Sequence, residues 1–148
     1  MNYKKLLPII LLFLISILFI KNRKSIQIIE LGPACTNKKN VTVYHGPSTQ
    51  TKKAWKLHHL HWPICIIEIK ANWVKIQDAY DTIGWIKKID IKQEKRGLII
   101  KDILINNEIL LKKNCIVLIT KVKKNNYDIE INSKNFTVNK EYIWPQIT

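Results

Sequence analysis

The chain has little arginine, little glycine and few paired acids, and each shortage removes a class of function. Of its 25 basic residues only Arg23 and Arg96 are arginine. Nucleic-acid readers lean on arginine's planar fork and gather their basic residues on one face. Here a net charge of +14 is carried by lysines scattered in small pairs, at Lys52-Lys53, Lys87-Lys88, Lys112-Lys113 and Lys123-Lys124. Solvated strand edges and loops account for such a pattern, so no specific nucleic-acid partner is expected. A charge-driven binder of nucleic acid or anionic membrane stays as the alternative class, and a steep loss of affinity with salt would mark it.

Glycine occurs four times, at Gly32, Gly46, Gly84 and Gly97, too dispersed for a phosphate-cradling loop. Neither G-x-S-x-G nor H-E-x-x-H is present. Asp78 and Asp81 form a close carboxylate pair, beside Tyr80 in a turn where aspartates cap their own backbone. Of His58, His59 and His61 beside Trp62, His59 and His61 would share one face of an extended strand, but neither a carboxylate nor a well-spaced thiolate completes a metal site, so three solvent-facing loop histidines are expected. Cysteine is odd in number: Cys35 is expected as an exposed thiol in a linker, while Cys65 and Cys115 head apolar runs, where a thiol behaves as a small hydrophobe. With no local signature for a Cys–His pair, the chain is expected to be a non-enzyme without cofactor or metal.

Residues 1–24 look like a targeting segment. Lys4 and Lys5 precede a 15-residue apolar run from Leu6 to Ile20, and Lys21 to Lys24 close it. As a helix the run would span roughly 22 Å, short of a hydrocarbon core of ~30 Å, which fits a signal peptide or a marginal signal-anchor. No A-x-A-like site follows, which favours the uncleaved anchor, with membrane contact through residues 6–20. Residues 25–39 are expected as a linker. Beyond them no stretch shows a 3.6-residue apolar period, so the body should be all-β.

The informative stretch begins at Asn40. Val41 to Tyr44 favour a strand, and Gly46-Pro47-Ser48 breaks it. Strands then follow at Pro63–Ile69, Trp73–Ile76 and Ile83–Ile86, joined by short polar turns, as in a small antiparallel barrel. The elements Val41-x-Val43 with Gly46-Pro47-Ser48, then Trp73-Val74-x-Ile76, then Gly84-Trp85-Ile86 resemble the bacterial SH3-like family (SH3b), over about a third of the chain. Tyr44 stands where that family usually has arginine, and Thr42 where it often has asparagine. The resemblance implies an exported SH3-like barrel at residues 40–96, periplasmic or otherwise extracytoplasmic, with Gly46, Pro47, Trp73, Gly84 and Trp85 as its structural motif. Residues 97–148 are expected as a degenerate second barrel, because Asn114–Ile131 lies over Ile64–Ile76 with Tyr127 in place of Trp73. One larger β-sandwich is the competing account.

Six aromatics, Tyr44, Trp55, Trp62, Trp73, Tyr80 and Trp85, fall close together between residues 44 and 85, more than so small a core can enclose. Trp73 and Trp85 are assigned mainly to structure. Tyr44, Trp55, Trp62 and Tyr80 lie in or beside expected loops and are the candidate ligand-binding residues, since aromatics exposed on a barrel stack against extended sugars or peptides. The function that follows is a non-catalytic binding module of the cell envelope, recognising peptidoglycan or an envelope protein. A structural subunit of an envelope complex is the other possibility.

Overall fold

The computed structural model describes residues 28–105 and 108–147. The segment expected to target or anchor the chain lies outside them, and among the described residues no helix is long and apolar enough to cross a membrane. Among the described residues every regular element is a strand or a single 3-10 turn. In chain order the strands are β1 (Gly32–Thr36), β2 (Val41–Tyr44), β3 (Lys53–Leu57), β4 (Pro63–Lys70), β5 (Trp73–Gln77), β6 (Ile83–Lys87), β7 (Ile91–Lys92), β8 (Arg96–Ile99), β9 (Ile103–Ile105), β10 (Glu108–Leu111), β11 (Ile116–Val122), β12 (Asn126–Ile131), β13 (Lys134–Asn139) and β14 (Ile143–Trp144). The described residues are all-β and the two larger sheets are compatible with SH3-like domains, in keeping with the sequence.

The strands form where alternation puts aliphatic residues on one face. On β5, Val74 and Ile76 are fully buried between the partly exposed Trp73, Lys75 and Gln77. On β2, Val41 and Val43 point inward while Thr42 and Tyr44 do not. Turns fall where the backbone takes positive φ: Ala71 between β4 and β5, and Asn132-Ser133 between β12 and β13, the latter a two-residue link of the kind antiparallel hairpins favour.

The first sheet has the order β3-β2-β6-β5-β4-β1-β7, and the last has β13-β12-β11-β8-β14. The run β6-β5-β4-β1-β7 and the run β13-β12-β11-β8-β14 correspond strand for strand: a three-strand meander, an earlier strand against its first member, and a short closing strand beyond. A 3-10 turn precedes each closing strand, at Lys88–Asp90 and Lys140–Tyr142. Each sheet has its own apolar cluster, one built from Ala34, Val41, Val43, Leu57, Ile64, Ile66, Val74, Ile76, Ile86 and Ile91, the other around Tyr127, Ile129, Val117 and Ile143.

One departure from the sequence expectations concerns residues 25–39. Residues 32–36 are not linker but strand β1, inserted between β4 and β7, with Gly32 opposite Ile66 and Thr36 opposite Ile91. Cys35 is accordingly fully buried rather than exposed. Its short apolar stretch, interrupted by Gly32 and Pro33, lacks the alternation of a recognisable strand and forms only because two partners flank it. Burial, and next the charge of Glu94, push the Cys35 thiol up from 9.0 to about 12. Burial also raises the thiol of Cys65. At Glu94 burial acts upward, but its hydrogen bond and ion pair with Arg96 and the charge of Lys92 outweigh it and hold the carboxyl below its ordinary value.

Candidate functional site

Three of the four aromatics chosen from the sequence converge. Trp55 comes from β3, Trp62 from the segment joining β3 to β4, and Tyr80 from the turn joining β5 to β6; together with Leu57, His58, His59 and Asp78 they line an open cleft of about 230 Å³. Two local devices hold it. Thr36, fully buried, pins the His58–Trp62 segment: its hydroxyl donates to the His59 carbonyl at 3.0 Å and accepts from the Trp62 amide at 2.9 Å. The backbones of Thr36 and Trp62 are joined as well, through the Thr36 amide and the Trp62 carbonyl at 3.1 Å. On the other side Asp78, only 4% exposed, accepts from the amides of Tyr80 at 2.9 Å and Thr82 at 3.1 Å, the backbone-capping role a turn aspartate suits.

The rings form a column. His59 stacks on Trp62 at 5.5 Å between centroids and 24° between planes, and Trp62 on Tyr80 at 6.3 Å and 26°. Tyr80, at 60% exposure, presents its outer face to solvent. Trp55 and Trp62 differ from the freely exposed loop residues expected of them: both are half-buried and pack against the first apolar cluster, and Trp55 sits in a strand. Their indole N–H groups are shielded from solvent and have no acceptor among the described residues. The flat apolar surface of this column suits a ligand that offers an apolar face for stacking.

Tyr44 lies elsewhere. It stands edge-on to Trp73 at 5.3 Å, beside a second groove, and does not line the cleft. Trp73 is half-buried with the Lys87 ammonium 6.0 Å above its ring, while Trp85 is 8% exposed and paired in register with Tyr44. The Gly46-Pro47-Ser48 turn is tied by the Thr51 hydroxyl, which bonds the carbonyls of Gly46 at 3.1 Å and Ser48 at 2.7 Å. His59, an ordinary loop residue by sequence, joins the site by stacking on Trp62, and its one sequence signal is its place three residues before that tryptophan in a histidine-rich stretch. His61 takes a positive φ of 59°, so His59 and His61 do not share a strand face, and among the described residues no group of three possible ligands is placed to hold a metal.

The strands that frame this cleft and the turn at Gly46 lie within one recognisable segment. Residues 37–92 match the bacterial SH3 domain family. The bacterial SH3 domain therefore takes in β2 to β7 and every residue of the cleft, while β1, which pins it through Thr36, lies just before the matched span. Among solved structures the chain is similar to NlpC2 from Trichomonas vaginalis, at 11% identity and a TM-score of 0.41, covering 80% of this chain and 49% of that one. It is also similar to NlpC1 from the same organism, at 12% identity and a TM-score of 0.35, covering 82% of this chain and 48% of that one. The chain spans about half the length of these structures. No curated protein matches it.

Proposed function

We propose that this chain is a non-catalytic binding module of the cell envelope, and that its bacterial SH3 domain recognises peptidoglycan, or a protein associated with it, through the Trp55–Trp62–Tyr80 cleft. The carrying observation is the His59–Trp62–Tyr80 column, which ends in the exposed Tyr80 ring. The cell-wall polymer offers a partner for such a surface, sugar faces for stacking. In this reading residues 1–24 hold the chain at the membrane with the domain facing outward. Residues 97–148 are a degenerate second SH3-like copy; the matching strand orders of the two sheets support that, as does the hairpin β9–β10, which stands in chain order where β2–β3 stands in the first.

The test is co-sedimentation of the full chain, in mild detergent, with isolated wall sacculi. Tyr80→Ala removes an exposed ring without opening the apolar cluster, so binding should fall several-fold, as loss of one stacking contact implies, while the melting temperature stays within about 2 °C. Tyr80→Phe should bind as the parent does. Wild-type binding by Tyr80→Ala would show that the cleft is not the contact surface.

A further inference from the structure

We infer a second binding site on the bacterial SH3 domain, a basic groove that takes an extended acidic peptide. It runs between the Gly46-Pro47-Ser48 turn and the β6 end, an open trough of about 630 Å³ lined by Pro47, Ser48, Trp73, Lys87 and Lys88 among others. Beyond Lys87 and Ile89, which line both, a further hollow of about 250 Å³ continues past Tyr44 to Lys38. None of these residues lines the cleft of the proposed function.

Shape and charge select the occupant. The lining includes two apolar rings, Pro47 and Trp73, the latter packed edge-to-face with Tyr44 at 5.3 Å between centroids. The rim is cationic, and among the described residues neither Lys87 nor Lys88 has a carboxylate within salt-bridge distance, whereas Lys38 is already engaged with Asp90 at 2.5 Å. Lys87 rests instead over Trp73, so its charge stays with the aromatic floor. A trough lined by proline and tryptophan rings accepts an extended proline-rich backbone, which carries a preformed conformation and loses little entropy on docking. Two unneutralised ammonium groups on the rim then favour carboxylate side chains over basic ones. A nucleic-acid strand is the poorer fit, because the site offers one indole platform rather than a series and no arginine.

The experiment is fluorescence anisotropy of a labelled twelve-residue peptide of alternating proline and glutamate, titrated with the full chain in mild non-ionic detergent. The same peptide with glutamine for glutamate, and a labelled oligothymidylate of equal length, are the comparisons. The glutamate peptide should bind at least about tenfold more tightly than the glutamine one, and the double variant Lys87→Ala/Lys88→Ala should lose about as much. Tyr80→Ala, which damages only the other cleft, should bind the peptide normally, so failure of this site and failure of the wall-binding cleft are told apart. Near-ultraviolet dichroism shows whether the lysine variant is folded; if it is not, Lys87→Gln alone is read in its place. Equal binding of the two peptides, unchanged affinity in a folded lysine variant, or tighter binding of the oligothymidylate would each overturn the assignment.

Discussion

Replacing Gly84 by alanine should unseat the first sheet and the cleft together. A Cβ there would overlap Cγ1 of Val43, and would lie 3.0 Å from Cη2 of Trp55 and 3.1 Å from the Tyr44 carbonyl oxygen. None of the three can yield cheaply. Val43 is fully buried in the apolar cluster, and the Tyr44 backbone supplies the register pair that joins β2 to β6. Trp55 is the wall of the cleft. Overpacking of this kind costs about 1–3 kcal/mol, and because one obstacle is backbone, the middle of that range or above is expected. For a domain of this size that lowers the melting temperature by roughly 8 °C or more. Gly46→Ala is the internal control: its Cβ would meet only the Thr51 side chain, at 3.0 Å, in an exposed turn, and should cost well under ~1 kcal/mol. Thermal and urea denaturation followed by far-ultraviolet dichroism read both. The reasoning fails if Gly84→Ala unfolds within about 0.5 kcal/mol of the parent, or if Gly46→Ala is the more damaging of the two.

Cys35 makes stability depend on alkaline pH. The folded thiol, raised to about 12, keeps its proton where an unfolded thiol near 9.0 releases it. Its contribution is therefore complete below pH 9 and lost as pH climbs towards 12, on the order of 4 kcal/mol in all. Urea midpoints measured at pH 8 and pH 10.5 should fall more in the parent than in Cys35→Ala; parallel falls would exclude the thiol as the cause. In the second sheet, the fully buried Tyr127 hydroxyl accepts from the Ile147 amide and donates to the Ile147 carbonyl. Tyr127→Phe leaves both backbone groups without that partner and should cost about 1–3 kcal/mol by urea denaturation, whereas a cost near zero would mean the carboxyl-terminal segment is not held through this hydroxyl.

The sequence was most legible where apolar alternation and turn residues agree. Val41–Tyr44 is strand β2 to the residue, and the expected strands at 63–69, 73–76 and 83–86 each fall within one residue of β4, β5 and β6. It was least legible where tertiary pairing overrides local pattern. Gly32 and Pro33 argue against a strand, yet β1 forms because β4 and β7 supply partners on both sides. Lys53–Leu57 alternates poorly, with Trp55 half-covered and Lys56 exposed, and carries no strand signal of its own, yet it pairs with β2 through a register shift. The same limits apply to the site. Exposure of Tyr80 follows from its turn, but that Trp62 stacks between it and His59, and that Tyr44 belongs to another groove, depends on how β3 and the β5–β6 turn meet across the sheet.

The placement of these aromatics follows from the core. The first apolar cluster is closed entirely by alanine, valine, leucine and isoleucine, so it fills without a single ring. Branched aliphatics satisfy β propensity and pack a thin barrel interior at the same time. Apart from Trp85, which is buried at 8% exposure, the rings that crowd this segment are then left to its flanks: Trp55 and Trp62 lie partly against the cluster, Tyr44 and Trp73 at the groove, and Tyr80 outward. Holding several large rings part-exposed has a free-energy cost that the core does not require, since each leaves apolar surface in water. In the second sheet the arrangement is reversed, with Tyr127 drawn fully into the cluster and its hydroxyl spent on the backbone of Ile147. An aromatic used for packing and an aromatic kept at the surface are thus distinguishable within one chain, and the surface set, gathered in the bacterial SH3 domain, is where ligand contact is to be sought.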